Sequence, residues 1–142
     1  MVATLTNGQI MDRHQINTEG IEHLDLEVPI LTGPQCQGDV LVLPVGKRKD
    51  RGAHVPLTGI AVVTGETTGG NAHILHALDG ECFWRAAEDA ATGLVQGWLT
   101  VPKGSSATLL HTAEHSVIGI GYGRFEIRRQ REFAGEWRRV SD

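Results

Sequence analysis

The stretch His111-Thr-Ala-Glu114-His115 places two imidazoles around one carboxylate. These donors bind zinc and other divalent transition metals, and they also move protons. On a helix, His111 and His115 would share one face and read as the H-x-x-E-H of an inverted zinc protease. The surroundings do not supply that helix. "ATLLHT" reads as a strand, and Gly119, Gly121 and Gly123 follow closely. The segment therefore reads as a corner between strands, with a turn at Thr112-Ala113 bringing His111 near Glu114 or His115. Such a corner is either a seat for a divalent transition metal or a polar turn whose Glu114 accepts backbone N–H bonds.

A second group of donors lies upstream, in Gly65-Glu66-Thr-Thr-Gly-Gly-Asn71-Ala-His73, with His76 beyond it. Its spacing approaches a first cupin motif, with Asn71 where the first histidine would stand and His73 at the second. Val101-Pro102-Lys103-Gly104 carries the Pro-x-Gly of a second cupin motif, but His111 follows too late for it. On a strand, His73 and His76 face opposite ways, so at most one of them joins a given site. If the strands are neighbours, His73, His111 and His115 converge with Glu114 or Glu66. That set would suffice for a catalytic-type metal site with an open position.

Arginines form the third group. Arg124, Arg128, Arg129 and Arg131 fall within a few residues near the C-terminus. Guanidinium forks suit phosphate or carboxylate, and the same row could protect an edge strand or form half of an intersubunit ion-pair network. No P-loop, dinucleotide-binding glycine pattern or nucleophile elbow is present. Ser105 and Ser106 have no base nearby in sequence, and no catalytic residue is assigned.

The elements that must hold these groups read as short strands. The chain has 142 residues with 18 glycines, 40% hydrophobic residues and few aromatics. That is one domain with many turns and enough apolar content for a core. "GDVLVLPVGKR", "LTGIAVVTGE", "HILHAL", "CFWRAA", "LVQGWLTVP", "ATLLHT" and the alternating "RFEIR" give seven or eight strands. Asp79-Gly80-Glu81 reads as a tight Asp-Gly turn and "KGSS" as another. "AEDAATG" is too short for more than a helical turn, and "AGEWRRVSD" reads as a turn or short helix with Trp137 on the body. Residues 1–34 differ: they are polar and acidic, with Leu24, Leu26, Val28 and Ile30 alternating around Pro29 as in an edge strand. The predicted fold is all-β, a single compact β-sandwich or barrel of jelly-roll or cupin-like form over 35–142, with residues 1–34 as an extended N-terminal arm.

Charge and cysteine content narrow the setting. The net charge of −4 argues against a general nucleic-acid binder. Asp12, Glu19, Glu22, Asp25 and Glu27 crowd the arm, while Lys47, Arg48, Lys49 and Arg51 form a basic knot. Cys36 and Cys82 make no CxxC and are expected as buried thiols of a reducing compartment. There is no run long enough to span a membrane and no secretory signal pattern at the start. A cytoplasmic or virion-associated protein is the expectation.

Several segments taken together resemble a family of small uncharacterised proteins from bacteria and phages. They are Gln37-Gly-Asp-Val-Leu-Val, Gly65-Glu66-x-Thr-Gly with a histidine soon after, Leu110-His111-x-x-Glu114-His115, Phe125-x-Ile-x-Arg129-Gln130-Arg131-Glu132-Phe133, and a terminal Val-Ser-Asp. The resemblance spans Gln37 to Asp142. It implies a β-rich domain and no particular reaction. The family pattern has Gly-His-x-His where this chain has Gly70-Asn71-Ala72-His73, so one potential ligand is replaced. The functional expectation is a non-enzymatic structural protein that self-associates or decorates a larger assembly such as a phage particle. The alternative is a cupin-like metal-binding domain, with or without enzymatic activity, built on His73, His111, Glu114, His115 and Glu66.

Overall fold

The computed structural model describes residues 4–46, 50–63, 72–133 and 137–139, the last strand residues 131–133 and 137–139 by their backbone only. The elements are β1 (Leu5–Thr6), α1 (Asn7–Arg13), β2 (Glu27–Val28), β3 (Ile30–Leu31), β4 (Gln35–Gln37), β5 (Val40–Pro44), β6 (Ala53–His54) and β7 (Ile60–Val63). They continue as β8 (His73–Asp79), β9 (Phe83–Ala86), β10 (Val95–Val101), β11 (Ser106–His111), β12 (Ser116–Ile120), β13 (Gly123–Arg129), β14 (Arg131–Phe133) and β15 (Trp137–Arg139). The eight strands of four residues or more, β5 and β7 to β13, are those the alternation marks out.

Two sheets pack face to face as a sandwich, and no closed barrel forms. Sheet I has six strands in the order β4-β5-β13-β10-β9-β6, and sheet II has five in the order β3-β12-β11-β8-β7. Within both sheets neighbours are antiparallel, except that β3 joins β12 in parallel. The core lies between the sheets. Val40, Val42, Leu99, Phe125 and Ile127 project from sheet I, and Leu75, Leu109 and Ile120 from sheet II, all essentially fully buried. Period-two alternation produces this. On β13, Phe125 and Ile127 point inward while Arg124, Glu126 and Arg128 point outward.

The N-terminal segment is more than an extended arm. Thr6-Asn-Gly-Gln9 is a capping box: the Gln9 N–H donates to Thr6 Oγ1 at 3.2 Å, and Gln9 Oε1 accepts from the Thr6 N–H at 2.9 Å. It starts α1, which lays Ile10 and Met11 on the outer face of sheet II. There they meet Val28, Leu110 and Val117 in a second apolar cluster, with Ile74 and Leu78 beside it. Sheet II is thus covered on both faces, which is why "ATLLH" is buried at every position of β11.

Three expectations need correction, and two of the expected turns lead to the opposite sheet. Leu24 to Ile30 do not form one half-buried strand, because Pro29 interrupts it and only Val28 is buried; β2 pairs with β1 and β3 with β12. The turns at Asp79-Gly80-Glu81 and Lys103-Gly104 join strands of different sheets rather than neighbours in one sheet. Each carries the chain from one sheet to the other, because buried Cys82 pulls the chain inward and the Glu81 N–H donates to Ser105 Oγ at 3.2 Å. Cys36 is exposed, since on β4 it alternates with inward-facing Gln37; Cys82 is buried, which pushes its thiol pKa up to about 12. The segment read as a C-terminal turn or short helix contains β15, paired antiparallel with β14. The Gly65–Asn71 loop, Lys47–Lys49 and the Trp137 side chain lie outside the described residues.

Candidate functional site

Strand register brings two of the predicted histidines together. β8 and β11 are antiparallel neighbours in which His73 stands directly opposite His111. Cross-strand partners share a face, so both imidazoles turn inward with Leu75 and Leu109, and both are buried. Their rings stack with centroids 4.3 Å apart and planes 4° apart. The four residues from Thr112 to His115 make the tight turn of the β11–β12 hairpin, closed where His111 faces Ser116. His115 takes a left-handed backbone conformation, φ 52°, and is exposed. Glu114 sits at the rim, its Oε2 3.6 Å from His111 Nδ1. Thr112 pins the turn to β8: its backbone N–H and its hydroxyl both donate to the Ala72 carbonyl, at 2.9 and 3.0 Å.

Gln37 completes this cluster, although nothing in its spacing marks it. It reaches across from β4 in sheet I and is buried. Its Nε2 donates to the carbonyls of Leu109 at 2.9 Å and Ser116 at 3.0 Å. Those two acceptors fix the amide orientation, which leaves Oε1 facing His73 Nδ1 at 2.8 Å. An oxygen there can only accept, so His73 carries its proton on Nδ1. Gln35, two residues earlier, repeats the reach by donating to the Gly119 carbonyl at 2.8 Å. Polar side chains of one sheet thereby clasp the backbone of the other.

The chemistry of the cluster follows from these orientations. An imidazole nitrogen presents its lone pair in the ring plane, and zinc sits about 2.0–2.1 Å along that line. Parallel rings aim their lone pairs in parallel planes, so this stacked arrangement does not form two legs of one metal centre. Among the described residues, no three His, Cys, Asp or Glu side chains gather as a metal would need. Glu66, the remaining predicted ligand, lies outside the described residues. What the cluster does is hold sheet I to sheet II through a buried hydrogen-bonded network.

His76 faces the other way, as strand alternation requires, and meets a histidine the sequence reading did not single out. His14, just past α1, stacks on it with centroids 4.0 Å and planes 8° apart, and His14 Nε2 lies 2.8 Å from Thr108 Oγ1. Burial, then His76, then Arg13 hold the His14 pKa down to about 4, and burial lowers that of His76. The pair is therefore uncharged near neutral pH, which lets the rings stack. Gly59 at φ 81° packs its backbone against the His76 imidazole, where a Cβ would collide with the ring. A groove of about 620 Å³ runs beside the pair, between Arg13, Leu57, Thr58 and Leu78.

The arginines do not form one row. Arg124 and Arg128 lie on the outer face of sheet I, Arg128 beside Glu126 at 3.5 Å. Arg129 turns inward and is buried at the end of β13, where its N–H donates to the Leu94 carbonyl at 2.8 Å. The Arg131 side chain is outside the described residues. Arg124 Nη1 donates to Thr100 Oγ1 across the β10–β13 pair at 3.3 Å. It lines a cavity of about 340 Å³ with Arg51, Val45, Val101, Pro102 and Tyr122.

These features define an all-β sandwich whose sheets are tied by a buried glutamine–histidine network and whose outer face is capped by a short N-terminal helix. The chain belongs to the family described as a domain of unknown function, DUF8820, whose model matches residues 36–130, about two thirds of its length. The match takes in β5 to β13, and α1 with β1 to β3 precedes it. Comparison with curated proteins and with solved structures gives no match. No helix among the described residues is long and apolar enough to cross a membrane.

Proposed function

We propose that this chain is a non-enzymatic structural module that assembles with further copies of itself. The supporting observation is where its apolar surface lies. Leu26, Ile30 and Leu31 are 53%, 42% and 44% exposed, and Tyr122, 62% exposed, follows Gly121, whose N–H donates to the Leu31 carbonyl at 2.8 Å. Ile30 and Leu31 form β3, the edge strand of sheet II, so an open hydrogen-bonding edge carries the exposed side chains. Monomeric proteins usually blunt such an edge with charge or a bulge. Here only Pro29 and Pro34 flank it. The histidine cluster fits this role, since a network that locks two sheets together suits a rigid building block. The resemblance to bacterial and phage proteins favours a larger shell, such as a virion, as the setting in which the assembly works.

Sedimentation velocity on the intact chain across a wide concentration range tests the reading. A concentration-dependent oligomer is expected, and Leu31→Lys is expected to shift it toward monomer while leaving the circular dichroism spectrum unchanged. A chain that stays monomeric throughout refutes self-assembly.

A further inference from the structure

The cavity beside Arg124 is lined by two guanidiniums, Arg51 and Arg124, and among the described residues no carboxylate lines it. Among the described residues neither meets an acidic side chain: Arg51 lies over the Phe83 ring at 3.9 Å, and Arg124 bonds Thr100. The other surface guanidiniums among the described residues differ, for Arg13, Arg85 and Arg128 each pair with an acid. The remaining wall is apolar, from Val45, Val101 and Pro102, with Tyr122 at the rim. Its volume of about 340 Å³ is within the range that accepts a ligand group. An occupant that fits must bring carboxylates and a compact apolar group together.

The same chain displays such a segment. Asp25-Leu26-Glu27 is exposed at all three positions, with Leu26 53% exposed between its two acids. Among the described residues neither Asp25 nor Glu27 forms an ion pair, nor do Asp12 and Glu19 nearby. The turn is anchored rather than loose, because the N–H groups of Asn7 and Gly8 donate to the carbonyls of Leu26 and Leu24 at 2.8 and 2.9 Å. Its position also matters. The N-terminal segment covers the outer face of sheet II, whereas Thr100 and Arg124 belong to the outer face of sheet I. None of Asp25, Leu26 and Glu27 lines the cavity, and the turn is held in place by its backbone bonds, so a second molecule must supply the acidic segment.

We propose that the Arg51–Arg124 cavity receives the Asp25-Leu26-Glu27 turn of a second copy of this chain, Leu26 against the apolar wall and the flanking carboxylates on the guanidiniums. The contact is head-to-tail, each copy offering its turn to one neighbour and its cavity to the other, which builds a ring or a filament. It rests on the self-assembly reading and specifies the interface. Desolvated guanidinium–carboxylate pairs around a buried leucine give direction, and both charge sets repel their own kind.

A charge-reversal exchange tests it by sedimentation velocity. One variant carries Arg51→Glu and Arg124→Glu, and another carries Asp25→Lys and Glu27→Lys; all four sites are on the surface, and circular dichroism verifies the fold. Each variant alone is expected to associate at least tenfold more weakly than the unaltered chain. An equimolar mixture is expected to recover association, since each variant's turn then meets a cavity of opposite sign. Association of either variant alone at the unaltered strength, or a mixture that stays dissociated, overturns this interface and leaves the self-assembly reading in place. An unaltered chain that is monomeric at every concentration overturns both.

Discussion

Replacing Gln37 by leucine removes the side chain that joins the sheets while nearly preserving its volume. Three hydrogen bonds disappear: one with His73 Nδ1 at 2.8 Å, and two to the carbonyls of Leu109 and Ser116 at 2.9 and 3.0 Å. The His73 N–H is the costly one. His73 is fully buried, and an orphaned interior donor costs about 1–3 kcal/mol. The carbonyls sit on paired strands, so each loses only the net worth of one extra bond, about 0.5–1.5 kcal/mol. The expected destabilisation is therefore roughly 2–6 kcal/mol, a large share of the stability of a domain this size. In urea, with a slope of about 2 kcal/mol per molar, the midpoint should fall by roughly 1–3 M. Gln35→Leu, which loses one half-buried bond, should cost about 1 kcal/mol. The double variant Gln37→Leu/His73→Phe should cost less than the two single changes added together, because no orphaned imidazole remains. A Gln37→Leu midpoint within about 0.3 M of the unaltered chain, or strict additivity in the double variant, refutes the inter-sheet tie.

Two further outcomes follow from the outer face of sheet II. The His14 pKa is lowered from 6.5 to about 4, so the unfolded chain takes up a proton first as pH falls. Stability from the stacked pair is complete above pH 6.5 and is lost progressively as pH falls toward 4. With allowance for the half-exposed ring, the loss should reach about 1 kcal/mol by pH 5, and His14→Gln should flatten the urea-midpoint profile between pH 7 and 5. Ile10→Ala, at a fully buried position of α1, should destabilise the whole domain by about 2–4 kcal/mol in a single transition. An unchanged main transition would show α1 to be an appendage.

The legible part of this protein is the part that obeys a period. Alternation along Phe125, Ile127 and their charged neighbours identifies β13 and its buried face. The unbroken apolar run Val40–Leu43 identifies β5, and the same logic separates His73 from His76. What fails is whatever depends on where the chain goes after a strand. Asp79-Gly80 has hairpin chemistry, yet burial of Cys82 and the bond from the Glu81 N–H to Ser105 send the chain to the other sheet. A local turn preference of a few tenths of a kcal/mol cannot compete with burial of a side chain, which contributes on the order of 1–2 kcal/mol. The helix α1 was readable from Thr6-x-x-Gln9, but a two-turn element carries too few apolar positions for its period to show.

The candidate site was half legible for a related reason. Residue types pick out His73, His111 and Glu114, and register then decides that the first two are partners. Gln37 is invisible in this way, because its role comes from a contact between sheets, to which no sequence spacing corresponds. Yet Gln37 determines what the histidines do. With its amide nitrogen held by two carbonyls and its oxygen on His73 Nδ1, Gln37 gives that imidazole nitrogen a neutral acceptor. Catalytic imidazoles are commonly oriented by a carboxylate and open to substrate. This pair is stacked and buried, and His73 is joined through Gln37 to the backbone of sheet II. A histidine-rich pattern can therefore serve cohesion between sheets, and the surface is then the place to look for function: the apolar edge at β3, the acidic turn at Leu26 and the arginine-lined cavity bordered by Tyr122.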